Sequence, residues 1–241
     1  MMITPLFPVP GESFDPSEAE GRARVAELYR PPVGEWLRVN LVTSLTGAAA
    51  GADGTSDSLS NAVDRQVLGV LRELADVVLV GAASVRLEGY RVPKRSRLAV
   101  VTTSGDLTGH RFEETDDAIL VLCPVEAVDT VQRTMHGLRP EIVVLPTTLA
   151  GITAADLLGA LRERGLLSVV CEGGPDLVAR LLRAGAVDEL CLTTAATATP
   201  VQVPAFADGF ADTEMHCAGL AIDDRHFLYT RWVSAAVPAS A

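Results

Sequence analysis

The chain has 241 residues, of which 48% are hydrophobic, so it can bury the core of one large α/β domain or of two small ones. Its formal net charge of -11 argues against a general binder of nucleic acids or anionic membranes, because phosphate groups require a basic surface. No apolar stretch approaches membrane-spanning length, and the first ten residues lack the basic start of an export signal, so we expect a cytoplasmic protein.

The four cysteines and four histidines do not point to a metal site. No two cysteines have C-x-x-C spacing, and the histidines at positions 110, 136, 216 and 226 are not spaced like metal ligands. Three of the cysteines lie in or beside apolar runs, which is typical of reduced, buried thiols in a cytosolic protein. The sequence therefore predicts no metal.

Composition divides the chain into three parts. Residues 1–35 carry six prolines, which predicts an N-terminal arm that wraps the surface, with one short helix over residues 17–29. Residues 36–233 contain no internal repeat and no clear linker, so we expect a single domain there. Residues 234–241 are expected to form a flexible tail.

Strands and helices alternate along the central domain. Apolar and β-branched runs predict strands over residues 36–44, 77–81, 98–103, 118–122, 142–145, 167–171 and 189–194. Helical spacing of apolar residues predicts helices over residues 61–74, 125–138, 154–164 and 175–184. Two further runs, residues 220–222 and 227–233, are expected to form an antiparallel hairpin at a sheet edge. The alternation predicts an α/β fold with a mostly parallel central sheet and helices on both faces.

A glycine-rich turn follows the apolar run at residues 166–170. Gly173 and Gly174 can take positive φ and let the backbone approach a ligand, and Pro175 suits the first turn of a helix. Unpaired N–H groups at such a helix start bind anions, and the phosphates of a dinucleotide are the natural ligand. The same residues also suit a tight turn that binds nothing.

Three common α/β enzyme signatures are missing from the chain. No Gly-x-Gly-x-x-Gly follows a predicted strand, and neither a phosphate-binding Gly-x-x-x-x-Gly-Lys-Ser/Thr nor a Gly-x-Ser-x-Gly nucleophile elbow is present. These absences disfavour, in the same order, Rossmann-type dehydrogenases, P-loop nucleoside triphosphatases and α/β-hydrolases.

A basic run stands out in this acidic chain. Residues 86–97 contain five basic side chains against one acidic side chain, Glu88. The run follows directly on the carboxyl end of a predicted strand, which is where open parallel sheets place their ligands. We therefore expect it to contribute to an anion site, although a solvated loop would show the same composition.

Six segments together resemble the reductase domain of riboflavin biosynthesis, in order and spacing: residues 44–47, 53–56, 71–76, 81–85, 172–175 and 184–190. The resemblance covers about residues 36–233. It implies a dihydrofolate-reductase-like fold, a homodimer, and the use of NADPH to reduce the ribose of 5-amino-6-(5-phosphoribosylamino)uracil to a ribityl chain. Bifunctional members carry a preceding zinc deaminase domain, whose signature this chain lacks, so we expect a stand-alone reductase.

The resemblance also assigns roles to individual residues. It assigns cofactor binding to the side chains of Ser58, Ser84 and Glu88 and to the backbone of Gly173, Gly174, Pro175, Asp176 and Leu177. It assigns substrate binding to Ser56, Arg72, Arg95 and Glu172. These residue types suit a phosphorylated sugar, which needs arginine and hydroxyl donors. Two structural alternatives remain open, since Arg72 could instead pair with Asp76 on its own helix and Glu172 could merely cap a turn.

The catalytic positions implied by the resemblance are Thr46 and Glu172. Where the family usually has Ser-Leu-Asp-Gly, this chain has Ser44-Leu45-Thr46-Gly47, so a carboxylate is missing beside the cofactor loop. A threonine hydroxyl can form a hydrogen bond but cannot act as a proton source near neutral pH. Hydride transfer depends mainly on positioning, so reductase chemistry can survive this change.

Three functions follow from these observations. The first is the NADPH-dependent reductase of the riboflavin pathway. The second is a related reductase with another acceptor, such as dihydrofolate or another pterin, because substrate choice on a shared fold depends on a few side chains. The third is a catalytically silent, NADPH-binding dimer, which only the exchange at Thr46 favours.

Overall fold

The computed structural model describes residues 1–113, 118–148, 151–209 and 212–237. Its strands are β1 (Ile3–Phe7), β2 (Trp36–Thr43), β3 (Val77–Gly81), β4 (Arg97–Val101), β5 (Ile119–Cys123), β6 (Glu141–Val144), β7 (Ser168–Cys171), β8 (Glu189–Thr194), β9 (Met215–Asp223) and β10 (Leu228–Ser234). Its α-helices are α1 (Ala19–Leu28), α2 (Ala62–Leu74), α3 (Ala82–Glu88), α4 (Val128–Thr134), α5 (Ala154–Arg162) and α6 (Pro175–Arg183).

The strands form one sheet in the order β1-β9-β10-β8-β2-β7-β3-β4-β5-β6. From β8 to β6 all neighbours are parallel, whereas β1, β9 and β10 are joined to the sheet by antiparallel pairing. Helices α2 to α6 each lie between consecutive strands of the parallel part, and a tight turn joins β9 to β10. The predicted α/β class, with a mostly parallel sheet and a C-terminal antiparallel hairpin, is confirmed.

Each face of the sheet has its own apolar core. Side chains alternate along β3, so Val78 and Val80 lie in one cluster with α2, while Val77 and Leu79 lie in the other with α5 and α6. Helix α2 contributes Val67 to the first cluster at helical spacing from its other buried residues. Burying one such side chain contributes about 1.5–3 kcal/mol, so the two clusters fix the helices on the sheet.

A buried ion triad joins the parallel and antiparallel parts of the sheet. Glu189 on β8 is fully buried; its Oε2 accepts from Nη2 of Arg38 on β2 at 2.6 Å, and its Oε1 from Nε of Arg231 on β10 at 2.6 Å. Burial alone would raise the pKa of Glu189, but the two guanidinium charges lower it below its ordinary value. The triad therefore keeps its charges and ties three neighbouring strands together.

Strand β1 was not predicted, because residues 1–35 were expected to hold only one helix. It pairs with β9 and forms an edge of the sheet, which is the position where a strand tolerates a proline such as Pro5. Helix α3 was also missed, since residues 82–88 were interpreted as part of a turn and a basic run. The helix predicted over residues 125–138 begins as a 3-10 turn (Val125–Ala127) and its α-helical part ends at Thr134.

The expected sheet edge at the C-terminal hairpin is wrong. Strand β10 lies between β8 and β9, and β1 covers the outer side of β9. Of the predicted tail, residues 238–241 lie outside the described part of the chain. Among the helices of the described ranges, none is long and apolar enough to cross a membrane.

Candidate active site

The carboxyl ends of β2, β7 and β3 meet at one edge of the sheet, where the loops after these strands lie side by side. The turn after β7 is fixed to β3 by two backbone bonds: the N–H of Glu172 donates to the carbonyl of Leu79 at 3.0 Å, and the N–H of Gly81 donates to the carbonyl of Gly173 at 3.1 Å. Because parallel sheets place ligands at this edge, the turn after β7 and the start of α3 are the candidate site.

Both glycines of the turn take conformations that other residues avoid. Gly173 has φ of 106° and Gly174 has φ of 79°, so both lie where a side chain would cause strain. A Cβ atom on Gly174 would lie 3.7 Å from the Ser84 hydroxyl on α3. Ser84 and the bare backbone of Gly174 therefore face each other across a narrow gap.

Helix α6 begins at this gap. Pro175 is its first residue, and the N–H of Val178 is the first to bond back, to the carbonyl of Gly174 at 3.1 Å. The N–H groups of Asp176 and Leu177 therefore have no partner within the helix. Two free amides, a hydroxyl and glycine backbone fit the phosphates of a dinucleotide such as NADPH.

Arg72 and Glu172 form a two-point ion pair between α2 and the turn after β7. Arg72 donates from Nε to Oε1 at 2.6 Å and from Nη2 to Oε2 at 2.5 Å. Burial opposes the charge of the guanidinium, but Glu172 raises the pKa of Arg72 above its ordinary value. Asp76 instead accepts from the backbone N–H groups of residues 167 and 168, so the helical Arg72–Asp76 pair is wrong. The Glu172 carboxylate likewise binds side chains and does not cap its turn.

Tyr90, which no sequence pattern singled out, completes this pair. Its hydroxyl donates to Oε2 of Glu172 at 2.5 Å, and its ring centre lies 5.5 Å from the Arg72 guanidinium carbon. Burial and the charge of Glu172 raise the pKa of Tyr90 well above its ordinary value, so the phenol stays protonated. Its one sequence signal is that it lies two residues after Glu88, a candidate for cofactor binding.

Ser56 and Glu88 are brought together on the neighbouring loops. The Ser56 hydroxyl donates to Oε2 of Glu88 at 2.8 Å. Partial desolvation raises the pKa of Glu88, and the negative charges of Glu172, Asp57 and Asp53 add to the increase, against the bond from Ser56. Glu88 and Glu172 thus lie close enough for their charges to interact.

Ser58 lies on the same loop as Ser56, and its hydroxyl forms a hydrogen bond within that loop. Its hydroxyl donates to Oδ1 of Asp53 at 2.6 Å, and a Cβ atom on Gly51 would overlap that hydroxyl oxygen. The lack of a side chain at Gly51 is therefore what lets Ser58 fold back on the loop. The hydroxyl keeps its acceptor capacity for a ligand.

Thr46 links the turn after β2 to the segment after β8. Its hydroxyl donates to the carbonyl of Thr199 at 2.5 Å and lies 2.7 Å from the hydroxyl of Ser44. Backbone bonds from Leu45 to Thr197 and from Ala49 to Val203 hold the same two segments together. The threonine that replaces the family's aspartate is therefore built into a contact between two loops.

The basic run does not act as one patch. Arg86, on α3, donates from Nη1 to the carbonyl of Asp106 at 2.6 Å, in the loop after β4. Arg95 is 73% exposed, and its Nη1 lies 3.9 Å from Oε2 of Glu73. Arg97 pairs with Glu141 at 2.7 Å, at the amino end of β4. Arg86 is thus placed at the carboxyl edge of the sheet, the edge that also carries the candidate cofactor gap.

Comparison with known proteins agrees with the sequence resemblance. A family model described as the RibD C-terminal domain matches residues 35–215. The chain belongs to this family. A curated relative, the riboflavin biosynthesis protein RibD of Chlamydia pneumoniae, is 23% identical over 191 residues, which cover 73% of this chain and 50% of the relative. The chain therefore spans about half the length of that protein.

Solved structures of this family share the fold. A pyrimidine reductase-like protein of Corynebacterium diphtheriae is 24% identical with a TM-score of 0.71, covering 87% of this chain and 98% of that one. RibD of Acinetobacter baumannii is 17% identical with a TM-score of 0.68, covering 84% of this chain and 58% of that one. The riboflavin biosynthesis reductase of Saccharomyces cerevisiae is 13% identical with a TM-score of 0.61, covering 85% and 92%. The expected family is confirmed, and the solved structures share its α/β fold.

Proposed function

We propose that this chain is an NADPH-dependent reductase that converts 5-amino-6-(5-phosphoribosylamino)uracil into its ribitylamino product. The observation that carries the proposal is the open edge of Arg72. The Arg72 side chain is 26% exposed, whereas that of its partner Glu172 is 4% exposed. A ligand at the site would therefore meet the guanidinium and not the carboxylate. A phosphorylated acceptor is the kind of ligand that an oriented guanidinium binds.

The state of Glu172 supports an anionic acceptor over a pterin. Three donor contacts, two from Arg72 and one from Tyr90, already occupy most of the acceptor capacity of this carboxylate. Little capacity remains to accept the paired N–H groups of a pterin-like ring. We therefore assign substrate contact to Arg72 and Ser56, with Glu172 orienting Arg72 from behind.

In the proposed reaction the chain mainly positions its ligands. Bound NADPH supplies a hydride to the sugar carbon that becomes the CH2 of the ribityl chain. The amides of Asp176 and Leu177, the Gly174 backbone and the Ser84 hydroxyl would hold its phosphates, and we assign the 2′-phosphate to Arg86. Glu88 accepts a hydrogen bond from Ser56, and desolvation raises its pKa, so it holds a proton more readily than an ordinary carboxyl.

The exchange at Thr46 favours a second candidate, reduction of dihydrofolate or another pterin-like acceptor. Loss of the family's carboxylate removes a group that would act near the reacting carbon, and Thr46 instead bonds to Thr199. The same exchange keeps a third candidate open, in which the chain binds NADPH without turnover.

One assay separates the three candidates. NADPH oxidation is followed with the phosphorylated pyrimidine and with dihydrofolate as acceptors, and NADPH binding is measured by titration. We expect turnover with the pyrimidine and little with dihydrofolate. The reverse result would replace the first candidate by the second, and binding without turnover on either acceptor would favour the third.

We also propose that the protein is a cytoplasmic homodimer. The resemblance implies the dimer. The described cysteines support a reducing compartment, because all four are free and three of them are buried.

A further inference from the structure

We infer that Tyr90 is a positioning residue of the reductase site, acting through Glu172 on Arg72. The inference rests on the proposed function for its kinetic consequence, but its structural part concerns this chain alone. Tyr90 follows α3 directly, whereas Arg72 lies at the end of α2 and Glu172 after β7. The three side chains thus join three separate elements at the carboxyl edge of the sheet.

The donors at Glu172 are shared unequally between its two oxygens. Oε1 receives Nε of Arg72, while Oε2 receives both Nη2 of Arg72 and the hydroxyl of Tyr90. A carboxylate whose side chain is 4% exposed has lost most of its contact with water and depends on such donors for its hydrogen bonds. Without the phenol, Oε2 would keep only the guanidinium, and the ion pair would lose a contact that fixes the carboxylate from outside the pair.

Tyr90 constrains the guanidinium from a second direction. Its ring centre lies 5.5 Å from the guanidinium carbon, within the range of a cation–π contact. The two bonds to Glu172 therefore fix the plane of the Arg72 guanidinium, and the Tyr90 ring covers one face of it. Arg72 uses Nε and Nη2 for Glu172 and its side chain is 26% exposed, so part of the oriented guanidinium is left for a ligand.

The decisive variant is Tyr90→Phe, which keeps the ring and removes the hydroxyl. We expect KM for the phosphorylated pyrimidine to rise about ten- to hundredfold, the usual effect of losing one charge-assisted bond, with a smaller change in kcat and an unchanged Kd for NADPH. A role in folding alone would leave KM unchanged.

A matched control is available in Tyr229. Its hydroxyl also bonds to a buried carboxylate, Oδ2 of Asp223 at 2.8 Å, but within the core beside the C-terminal hairpin. Tyr229→Phe should lower Tm and leave KM unchanged. If Tyr90→Phe changes KM no more than Tyr229→Phe does, the inference is overturned.

A second measurement needs no substrate and separates this inference from the proposed function. The exchange rate of the Arg72 Nε proton with water is followed by NMR, with Arg72→Lys identifying the signal. We expect at least about tenfold faster exchange in Tyr90→Phe than in the unmodified protein and no change in Tyr229→Phe. Equal rates in Tyr90→Phe and the unmodified protein would sink the positioning role, even in an active reductase. Faster exchange in a protein that reduces neither acceptor would support the role while the proposed function fails.

Discussion

We propose that Arg86 is the residue by which this chain prefers NADPH to NADH. Its guanidinium crosses from α3 to the loop after β4, at the carboxyl edge where parallel sheets bind their ligands. We expect Arg86→Ala to weaken NADPH binding about ten- to hundredfold and to leave NADH binding nearly unchanged, because only NADPH has the 2′-phosphate. Titration of both cofactors measures this difference.

The control for this change is Lys94→Ala. Lys94 belongs to the same basic run and is exposed, so its removal changes the net charge by the same amount. Equal losses of NADPH affinity in the two variants would mean that the whole run acts through long-range charge and that Arg86 makes no direct contact.

Thr46 provides a test of the acceptor. We expect Thr46→Asp to raise turnover of the phosphorylated pyrimidine about hundredfold, because a carboxylate there stabilises the cationic imine that forms as the sugar ring opens. The same change removes the donor to the Thr199 carbonyl, so Tm should fall. Steady-state kinetics and thermal unfolding measure both effects. A fall in turnover would show that the threonine belongs to a site built for another acceptor.

At the scale of residues, the sequence did not reveal the partners of the side chains that it selected. Arg72 and Glu172 were both selected, but their pairing joins positions 100 residues apart and no local pattern encodes it. Tyr90 was missed for the same reason, since its importance depends on Glu172. Ser58 was selected as a cofactor-binding residue, but its hydroxyl donates a hydrogen bond to Asp53.

The turn between β7 and α6 is the element on which cofactor binding should depend. Gly174→Ala would place a methyl group 3.7 Å from the Ser84 hydroxyl, in the gap assigned to the phosphates. We expect NADPH affinity to fall at least about tenfold, since both the gap and the two amides behind it would be obstructed. The change is measured by cofactor titration on folded protein.

Gly185 separates this effect from backbone strain. It follows the same helix and has φ of 62°, and a Cβ atom at this position would meet no other atom within 4 Å. Alanine costs about 1–3 kcal/mol at such positions, because both glycines have a positive φ. Gly185→Ala should therefore lower Tm similarly and leave NADPH affinity intact; if it weakens the cofactor as much, strain is the cause.

At the scale of elements, the long periodic segments were predictable and the short ones were not. Helix α2 agrees with its prediction because Asn61 caps it and its apolar residues repeat with helical spacing. Helix α3 has only seven residues, and its N-cap position is occupied by Gly81, which has no side chain to cap it. The sequence therefore shows no start signal for this helix. Strand β1 contains a proline and pairs with β9, near the other end of the chain. Local sequence cannot reveal such a pairing.

At the scale of the whole molecule, the antiparallel end of the sheet has two unlike faces. On one face, Tyr29 of α1 packs in the same core as Ala221 and Tyr229. On the other face, alternation places apolar side chains that all stay partly exposed: Leu192, Leu220, Ile222, Leu228 and Trp232. We propose that this partly exposed apolar face binds a second copy of the chain, which is the partner that the resemblance implies.

Trp232 lies within this surface on β10, an inner strand, so a charge there can disrupt a dimer without exposing a sheet edge. We expect Trp232→Glu to give a folded monomer, because the second copy would have to bury an unpaired carboxylate. Light scattering measures the mass and circular dichroism the fold. Val33→Glu is the control, since Val33 is fully exposed and apart from this surface, and it should leave the mass unchanged. A dimeric Trp232→Glu protein would refute the assigned surface, and a monomeric unmodified protein would refute the dimer itself.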